Sequence, residues 1–284
     1  MLAEKATLME SHSYHIHSSP ASVLVPLLVV ATLLIPYLVA VARQKRSDRH
    51  WNYWRITSFV VGTSLLFVAL SPPVSNLSHN NLRAHMLQHI LIGMLAPLGL
   101  VLGAPLTLAF RTLPIQASRF MTTLLHKRLV RWLIHPVSAF LSNIGGMYLL
   151  YLTPLYALTL TNPYLHYFMH LHFLVAGCLF TWAIAGPDPA PGRPGMRTRL
   201  IVLFLSIAAH AILGKLMYIH LWPHDTLHGT NEIRAAAQFM YYGGDFAELL
   251  LVIALFTTWY RRQRHHHSDM QQRAVRLNQH SAPT

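Results

Sequence analysis

The stretch AHMLQHILIGMLAPLGLVLGAPLTLAF (residues 84–110) contains no lysine, arginine, aspartate or glutamate. A helix needs about 20 consecutive apolar residues to cross the hydrocarbon core of a bilayer, and this stretch is long enough. Pro97 and Pro105 interrupt it, and proline removes a helical hydrogen bond and kinks or ends a helix. The stretch therefore predicts a transmembrane helix that is kinked or has a broken end.

Six further apolar runs complete a predicted all-α fold, a polytopic membrane helix bundle of about seven transmembrane helices. Hydrophobic residues make up 53% of the 284-residue chain and charged residues 11%, whereas soluble domains carry about 25% charged residues. The net charge of +13 comes from short basic clusters between the apolar runs, which favours anionic lipid headgroups over nucleic acid as the partner. The predicted spans are residues 22–42, 54–71, 84–102, 136–160, 165–186, 200–219 and 235–260.

The distribution of lysine and arginine predicts the orientation. Eighteen of the 22 basic residues fall in the segments after spans one, three, five and seven, and three fall on the other side. Because cytoplasmic loops carry the excess of positive charge, we expect the amino terminus outside and the carboxyl terminus in the cytoplasm. The first apolar run lacks a basic region before it, since Glu4 and Glu10 stand there, so we expect a retained helix rather than a signal peptide.

This orientation divides the chain into three parts. Residues 1–20 are expected to form an exported tail, residues 21–262 the seven-helix domain, and residues 263–284 a cytoplasmic tail. The segment GPDPAPGRPG (residues 186–195) is expected to be a stiff cytoplasmic loop.

Thirteen of the 20 histidines fall on the predicted outer side, and two pairs stand out among them. His85 and His89 begin span three, and His166 and His170 begin span five. Residues four apart share one face of a helix, and neutral imidazole is a ligand for copper, zinc, iron and nickel. At about 1.5 Å per residue, the second member of each pair lies roughly 7–8 Å below the helix top. Two pairs at matched depth predict a metal site.

A deeper polar layer is predicted by His210 in span six and Asp245 in span seven, both at a depth of roughly 15 Å. Asp245 and Glu248 belong to one polar stripe, and a carboxylate inside the membrane usually faces a cavity or a partner. The competing interpretations are structural. A lone membrane histidine often bonds a neighbouring helix, and Asp245 would pair with Lys215. The methionines near the histidines would act as apolar packing or as soft copper(I) ligands.

Two stretches resemble the CtaG family of multi-span cytochrome c oxidase assembly proteins. In HMLQHILIGMLAPLGLVLGAPLTLAFR (residues 85–111) the double histidine, the Ala-Pro and the Gly-Ala-Pro with a later arginine fit the family pattern. HYFMHLHFLVAGCLFTWAIAGPDP (residues 166–189) is similar to the histidine-led fifth span of that family.

The resemblance implies an assembly factor for haem-copper oxidases rather than an enzyme, one that delivers or inserts copper. It implies cytochrome c oxidase subunits as partners, with a periplasmic copper chaperone as a further one, and a multi-pass location in a bacterial inner membrane. His85, His89, His166 and His170 occupy family motif positions; their role as copper(I) ligands, with His210 and Asp245 below them, is our interpretation.

Two alternatives stay open. Histidines from two spans would also suit a haem-binding membrane redox protein, and His210, Asp245 and Glu248 would suit a relay in a metal or proton transporter. Transporters commonly carry paired broken helices, and only one broken span is evident. The single cysteine, Cys178, excludes an intrachain disulfide and a CxxC metal site. Motifs for nucleophilic catalysis such as GxSxG or HExxH are absent.

The orientation predicts the outcome of reporter fusions. A reporter fused after Arg264 should be active only in the cytoplasm, and one fused at Ser11 only outside, because of the asymmetry in basic residues. Activity of paired cytoplasmic and periplasmic reporters at both positions measures this. A carboxyl terminus found outside the cell would overturn the assignment of the histidine pairs to the outer side.

Overall fold

The computed structural model describes residues 20–46, 50–224 and 228–280, and within these ranges every regular element is a helix. Residues 1–19, which make up nearly all of the predicted exported tail, and residues 281–284 lie outside the described residues. The helices are α1 Pro20–Arg46, α2 Tyr53–Leu70, α3 Pro72–Asn80, α4 Leu82–Ile90, a π-helical turn Leu91–Leu95, α5 Ala96–Leu102, α6 Pro105–Thr112, α7 Ile115–His126, α8 Arg128–Ile134, α9 Pro136–Leu152, α10 Leu155–Thr161, α11 Pro163–Ala185, α12 Met196–His220 and α13 Thr230–His280.

Six helical segments of the described chain are long and apolar enough to cross a membrane, and one of them is the run from α4 through α6. A seventh span results if α8 and α9, which are bent by 63°, count as one. This confirms the predicted fold class, an all-helical membrane bundle. The orientation stays a prediction. We therefore call the end of the bundle at which α4 and α11 begin the histidine end, and the opposite end the arginine end.

The third span is broken, as its prolines predict. A π-helical turn directly precedes Ala96 and Pro97, and the helix is interrupted a second time just before Pro105. Ala104 at this second break adopts a left-handed conformation with φ of 54°, which is uncommon for a residue with a side chain. The predicted fourth span, residues 136–160, is also interrupted: α9 ends at Leu152 and α10 begins after Pro154, because proline cannot continue the hydrogen-bond ladder.

Glycines let the broken span pack closely against its neighbours. A Cβ atom on Gly62 of α2 would lie 2.6 Å from the backbone nitrogen of Leu100, and Ser58 Oγ donates a hydrogen bond of 2.9 Å to the Gly99 carbonyl. A Cβ atom on Gly177 of α11 would overlap the Gly93 carbonyl in the π-helical turn. Small residues at such crossings are typical of helices packed within a membrane.

The loop after α11 is tied down by two charged side chains. The Asp188 carboxylate accepts hydrogen bonds from the backbone nitrogens of Leu106 and Thr107 at 3.1 and 2.7 Å, which fixes the start of α6. Arg193 donates to the carbonyls of Gly186 and Asp188 at 2.7 and 2.9 Å. Burial, together with nearby arginines, lowers the pKa of the Arg193 guanidinium to about 10, and it remains a cation at neutral pH.

Candidate metal-binding site

The two histidine helices, α4 and α11, begin in the same way. Asn81 Oδ1 accepts hydrogen bonds from the Arg83 and Ala84 nitrogens at 2.9 and 3.3 Å. Asn162 Oδ1 accepts equivalent bonds from the second and third residues after it at 3.0 and 3.3 Å. In both helices the first histidine comes four residues after the asparagine and the second eight residues after it. The matched caps therefore set the two histidine pairs at the same distance from their helix starts.

The structure brings the four predicted imidazoles together at the histidine end. Within the helices, the ring centroids of His85 and His89 are 4.5 Å apart, and those of His166 and His170 are 4.2 Å apart. Between the helices, the His85 and His166 centroids are 6.3 Å apart. The His89 and His170 centroids are 5.9 Å apart. We call these side chains, none more than 6% exposed, the four-histidine cluster.

Aromatic rings close the cluster. Tyr156 of α10 lies edge-on to His85, with ring centroids 4.9 Å apart. Tyr151 and Phe173 contact His89 at 5.7 and 4.8 Å. Both tyrosines are fully buried, so aromatic rings form much of the wall around the cluster.

Five buried methionines belong to the same core as the cluster walls. They pack with Tyr151, Tyr156 and Phe173. Thioethers are soft ligands suited to copper(I) and are also adaptable packing groups, so the structure is compatible with either role. The five are Met86, Met147, Met169, Met217 and Met240.

His172, two residues after His170, serves a different purpose. Its Nε2 lies 3.1 Å from the Ser142 carbonyl of α9, and its ring covers Gly146, where a Cβ atom would come within 2.7 Å of Nε2. This is the interhelical hydrogen bond expected of a lone membrane histidine.

The deeper layer pairs His210 with Glu248. His210 Nδ1 lies 3.9 Å from Glu248 Oε1, and both side chains are buried. The imidazole fits over Gly244 of α13, where any Cβ atom would overlap it. Asp245 is only half-buried and stands three residues before Glu248 on the same helix. The carboxylate beside His210 is thus Glu248, with Asp245 as its neighbour.

Lys215 contacts a tyrosine ring and not Asp245, the partner that the structural interpretation of the sequence gave it. Its Nζ lies 5.9 Å from the centroid of the Tyr241 ring, a cation–π contact at the outer limit of the usual distance. Among the described residues, the contacts between a carboxylate and a basic nitrogen are His210–Glu248 and His228–Glu232, and both are made by an imidazole. Lys215 and Asp245 therefore form no salt bridge in the described part of the chain.

A small cavity adjoins Glu248. It measures about 20 Å³ and is lined by Asn143, Thr181, Ser206 and Glu248 together with apolar side chains. A volume of this size accommodates about one water molecule. Among the described residues, neither Glu248 carboxylate oxygen has a hydrogen-bond partner, nor does Asn143 Oδ1. Polar atoms that converge on one small space can hold a water or an ion.

Glu232, in the first turn of α13, connects this helix to the start of α4. Its Oε1 accepts a hydrogen bond of 2.8 Å from the Leu82 nitrogen, at the start of α4. The same carboxylate lies 3.0 Å from His228 Nδ1. Glu232 therefore holds α13 against the helix that carries His85 and His89.

The distances between the imidazole centroids are close to those of a tetrahedral metal site, but the side chains do not have the geometry of one. Metal–nitrogen bonds of about 2 Å in a tetrahedral site place imidazole centroids roughly 5 Å apart. The four measured separations bracket this value. As the side chains stand, however, no group of three or more His, Cys, Asp or Glu residues in the described ranges has the arrangement of a metal site.

Sequence reasoning missed the capping asparagines and the tyrosines of the wall. The repeated spacing NxxxHxxxH at residues 81–89 and 162–170 is visible in the sequence and would have identified Asn81 and Asn162. Tyr151 and Tyr156 carry no such signal, because their contact with the cluster depends on how α9 and α10 fold against α4.

The fold and these contacts define a polytopic membrane protein with buried, clustered histidines at one end. Residues 35–262 match the model of the cytochrome c oxidase caa3 assembly factor family (Caa3_CtaG). The match covers most of the chain, and the protein belongs to this family of cytochrome c oxidase assembly factors, which confirms the resemblance found in the sequence.

Among similar curated proteins are three uncharacterised mycobacterial proteins. Those of Mycobacterium bovis and Mycobacterium tuberculosis are each 35% identical over 64% of this chain, and that of Mycobacterium leprae is 33% identical over 63%. The matched regions make up 29%, 29% and 28% of those proteins, so the chain spans less than a third of their length. No solved structure matches the chain.

The matched caps predict a specific mutational result. Asn81→Ala and Asn162→Ala should each cost about 1 kcal/mol of stability and should also weaken metal binding, because they loosen the helix starts that align the imidazoles. Asn52→Ala removes an equivalent cap from α2, at the arginine end, and serves as the control. Thermal unfolding and metal titration of the purified variants measure both effects; weaker metal binding by Asn52→Ala to the same extent would contradict the prediction.

Proposed function

We propose that this protein binds copper(I) at the four-histidine cluster and delivers it to cytochrome c oxidase during assembly. The observation that carries the proposal is the continuous set of four buried imidazoles, from two helices with the same start, at centroid separations of 4.2 to 6.3 Å. Copper is the cargo in this proposal, and small rotations of the imidazoles would bring their nitrogens onto it. Membership of the family supplies the oxidase as the recipient.

Charge and polarity favour the monovalent ion. The cost of burying an ion in a medium of low dielectric constant rises steeply with its charge, and all four ligands of the cluster are neutral when they coordinate. The nearby thioethers of Met86 and Met169 are soft donors. Copper(I) is therefore a better match than a divalent ion, whose second charge the neutral ligands would leave uncompensated in buried surroundings.

A haem is the main alternative occupant. The rings of Tyr156 and Phe173 stand 4.9 and 4.8 Å from the histidines, so a planar macrocycle would have to displace them, whereas a single ion would not. A purified protein with a Soret band would favour haem, and a colourless protein that contains copper would favour copper(I).

We further propose that copper leaves the cluster laterally through the deeper layer. Copper would first contact the rim histidines His85 and His166, and then His89 and His170 below them. It would next pass to a second site formed by His210, Glu248 and Asp245. A carboxylate beside an imidazole orients the ring and offsets the charge of a bound cation. The buried methionines between the helices would offer soft donors on the way.

The copper site is tested by a double substitution. His89→Ala together with His170→Ala should abolish stoichiometric copper binding, since it removes one ligand from each helix. His172→Ala on the same helix should leave copper binding intact, because that imidazole bonds the Ser142 carbonyl instead. Metal analysis of detergent-purified protein after loading with copper(I) gives the stoichiometry. Full copper binding by the double variant would place the site elsewhere.

The deeper layer is tested by replacing one carboxyl group at a time with the matching amide. Glu248→Gln should retain copper at the cluster but lower the copper loading of the oxidase by about 10–100-fold, the usual cost of losing a carboxylate that supports a metal ligand. Asp245→Asn should have a smaller effect, because Asp245 is half-buried and Glu248 is the carboxylate near His210. Oxidase copper content, normalised to the membrane abundance of each variant, decides between them. Normal loading with Glu248→Gln would exclude this path.

A further inference from the structure

A large cavity separates α13 from α2 and α5 at the arginine end. Its volume is about 1310 Å³, above the roughly 300–1,000 Å³ usual for pockets that hold drug-sized ligands. Leu98 and Leu102 of α5 face Leu250, Ile253 and Ala254 of α13 across it. The side chains that line this part of the cavity are therefore apolar, and its volume is large enough for hydrocarbon chains.

The mouth of the cavity is strongly basic. Arg55 of α2 and Arg261, Arg262 and Arg264 of α13 line it, and no carboxylate is among the described residues that do so. The Asp188 carboxylate is buried and already accepts hydrogen bonds at the start of α6. The mouth thus has a local excess of positive charge.

Three of these arginines contact neutral groups. Arg262 donates to the Gly186 and Pro187 carbonyls at 2.9 and 3.3 Å. Arg55 stacks on the Trp51 ring at 4.7 Å and Arg264 on the Tyr260 ring at 4.8 Å. Such contacts hold the guanidinium groups near the mouth without neutralising them, so an anionic ligand would supply the opposite charge.

Two aromatic side chains mark the level of the mouth. Trp54 and Tyr260 line the cavity and are 67% and 53% exposed. Tryptophan and tyrosine concentrate where lipid headgroups meet hydrocarbon. The arginines therefore stand at headgroup depth and the leucines at acyl-chain depth.

From these observations we propose that the cavity is a binding site for one anionic phospholipid. Arg261 and Arg264 bind its phosphate, since guanidinium groups match phosphate oxygens in geometry and charge, and its acyl chains lie along Leu98 and Leu250. Basic pockets between transmembrane helices bind anionic lipid headgroups in this way. The lipid fills the gap between α13, which carries Glu248, and the broken third span.

The test uses the full-length protein in detergent, with bound lipid counted by native mass spectrometry. Phosphatidylglycerol should bind with a stoichiometry of one and at least about tenfold more tightly than phosphatidylcholine of the same chain length, because only the former has a net negative charge. Glycerol phosphate at equal concentration should not displace it, because it lacks the chains that fill the apolar part. Equal binding of both lipids, or displacement by glycerol phosphate, would overturn the proposal.

Two variants locate the site. Arg261→Gln with Arg264→Gln should weaken phosphatidylglycerol binding by roughly tenfold or more, whereas Arg128→Gln with Arg131→Gln, an equal loss of charge on exposed α8 residues away from the cavity, should not. Ala254→Trp fills the apolar part while all arginines remain and should also reduce binding. Equal losses from both arginine pairs would show only general attraction to anionic lipid, and bound haem or a bound helix in place of lipid would refute the assignment.

Discussion

The contact of Gly177 with the Gly93 carbonyl is the constraint on which the site depends. No side chain separates α11 from the π-helical turn at this point, so the two backbones approach as closely as helices can. Pro97 has no amide hydrogen to give to that carbonyl, and the glycine accommodates the irregular backbone. Both histidine-bearing segments run from the histidine end toward this crossing, and the imidazoles at matched positions reach toward each other, with centroids 6.3 and 5.9 Å apart.

Low dielectric surroundings explain how the polar groups are distributed. A buried polar side chain is costly unless another polar group satisfies it, and the described polar residues in the bundle accordingly occur together. His172 bonds the Ser142 carbonyl, and His210 lies beside Glu248. The four-histidine cluster is the largest of these groups. It gathers neutral ligands at one place, which is the arrangement that a soft monovalent ion would need.

The two ends of the bundle have opposite chemistry. The histidine end holds buried imidazoles, tyrosines and methionines and carries few charges, whereas the arginine end concentrates guanidinium groups around carbonyls, aromatic rings and an apolar cavity. Polarity of this kind suits a protein that handles a cation at one face and is anchored by anionic lipid at the other. Glu232 and Arg262 tie α13 to the two ends, through the start of α4 and the Gly186 carbonyl.

The sequence by itself determined the helical membrane fold, the break in the third span and the family. Long apolar runs without charge have no other stable form in a bilayer, because every backbone polar group must be satisfied within the helix. The sequence also placed two histidine pairs on helix faces, since the spacing of four is a local property. Only the tertiary structure decided that Tyr151 and Tyr156 wall the cluster and that Glu248, rather than Asp245, stands beside His210. These contacts depend on the rotation of each helix about its axis, which is set by packing at glycines such as Gly177 and Gly244 and not by any local pattern.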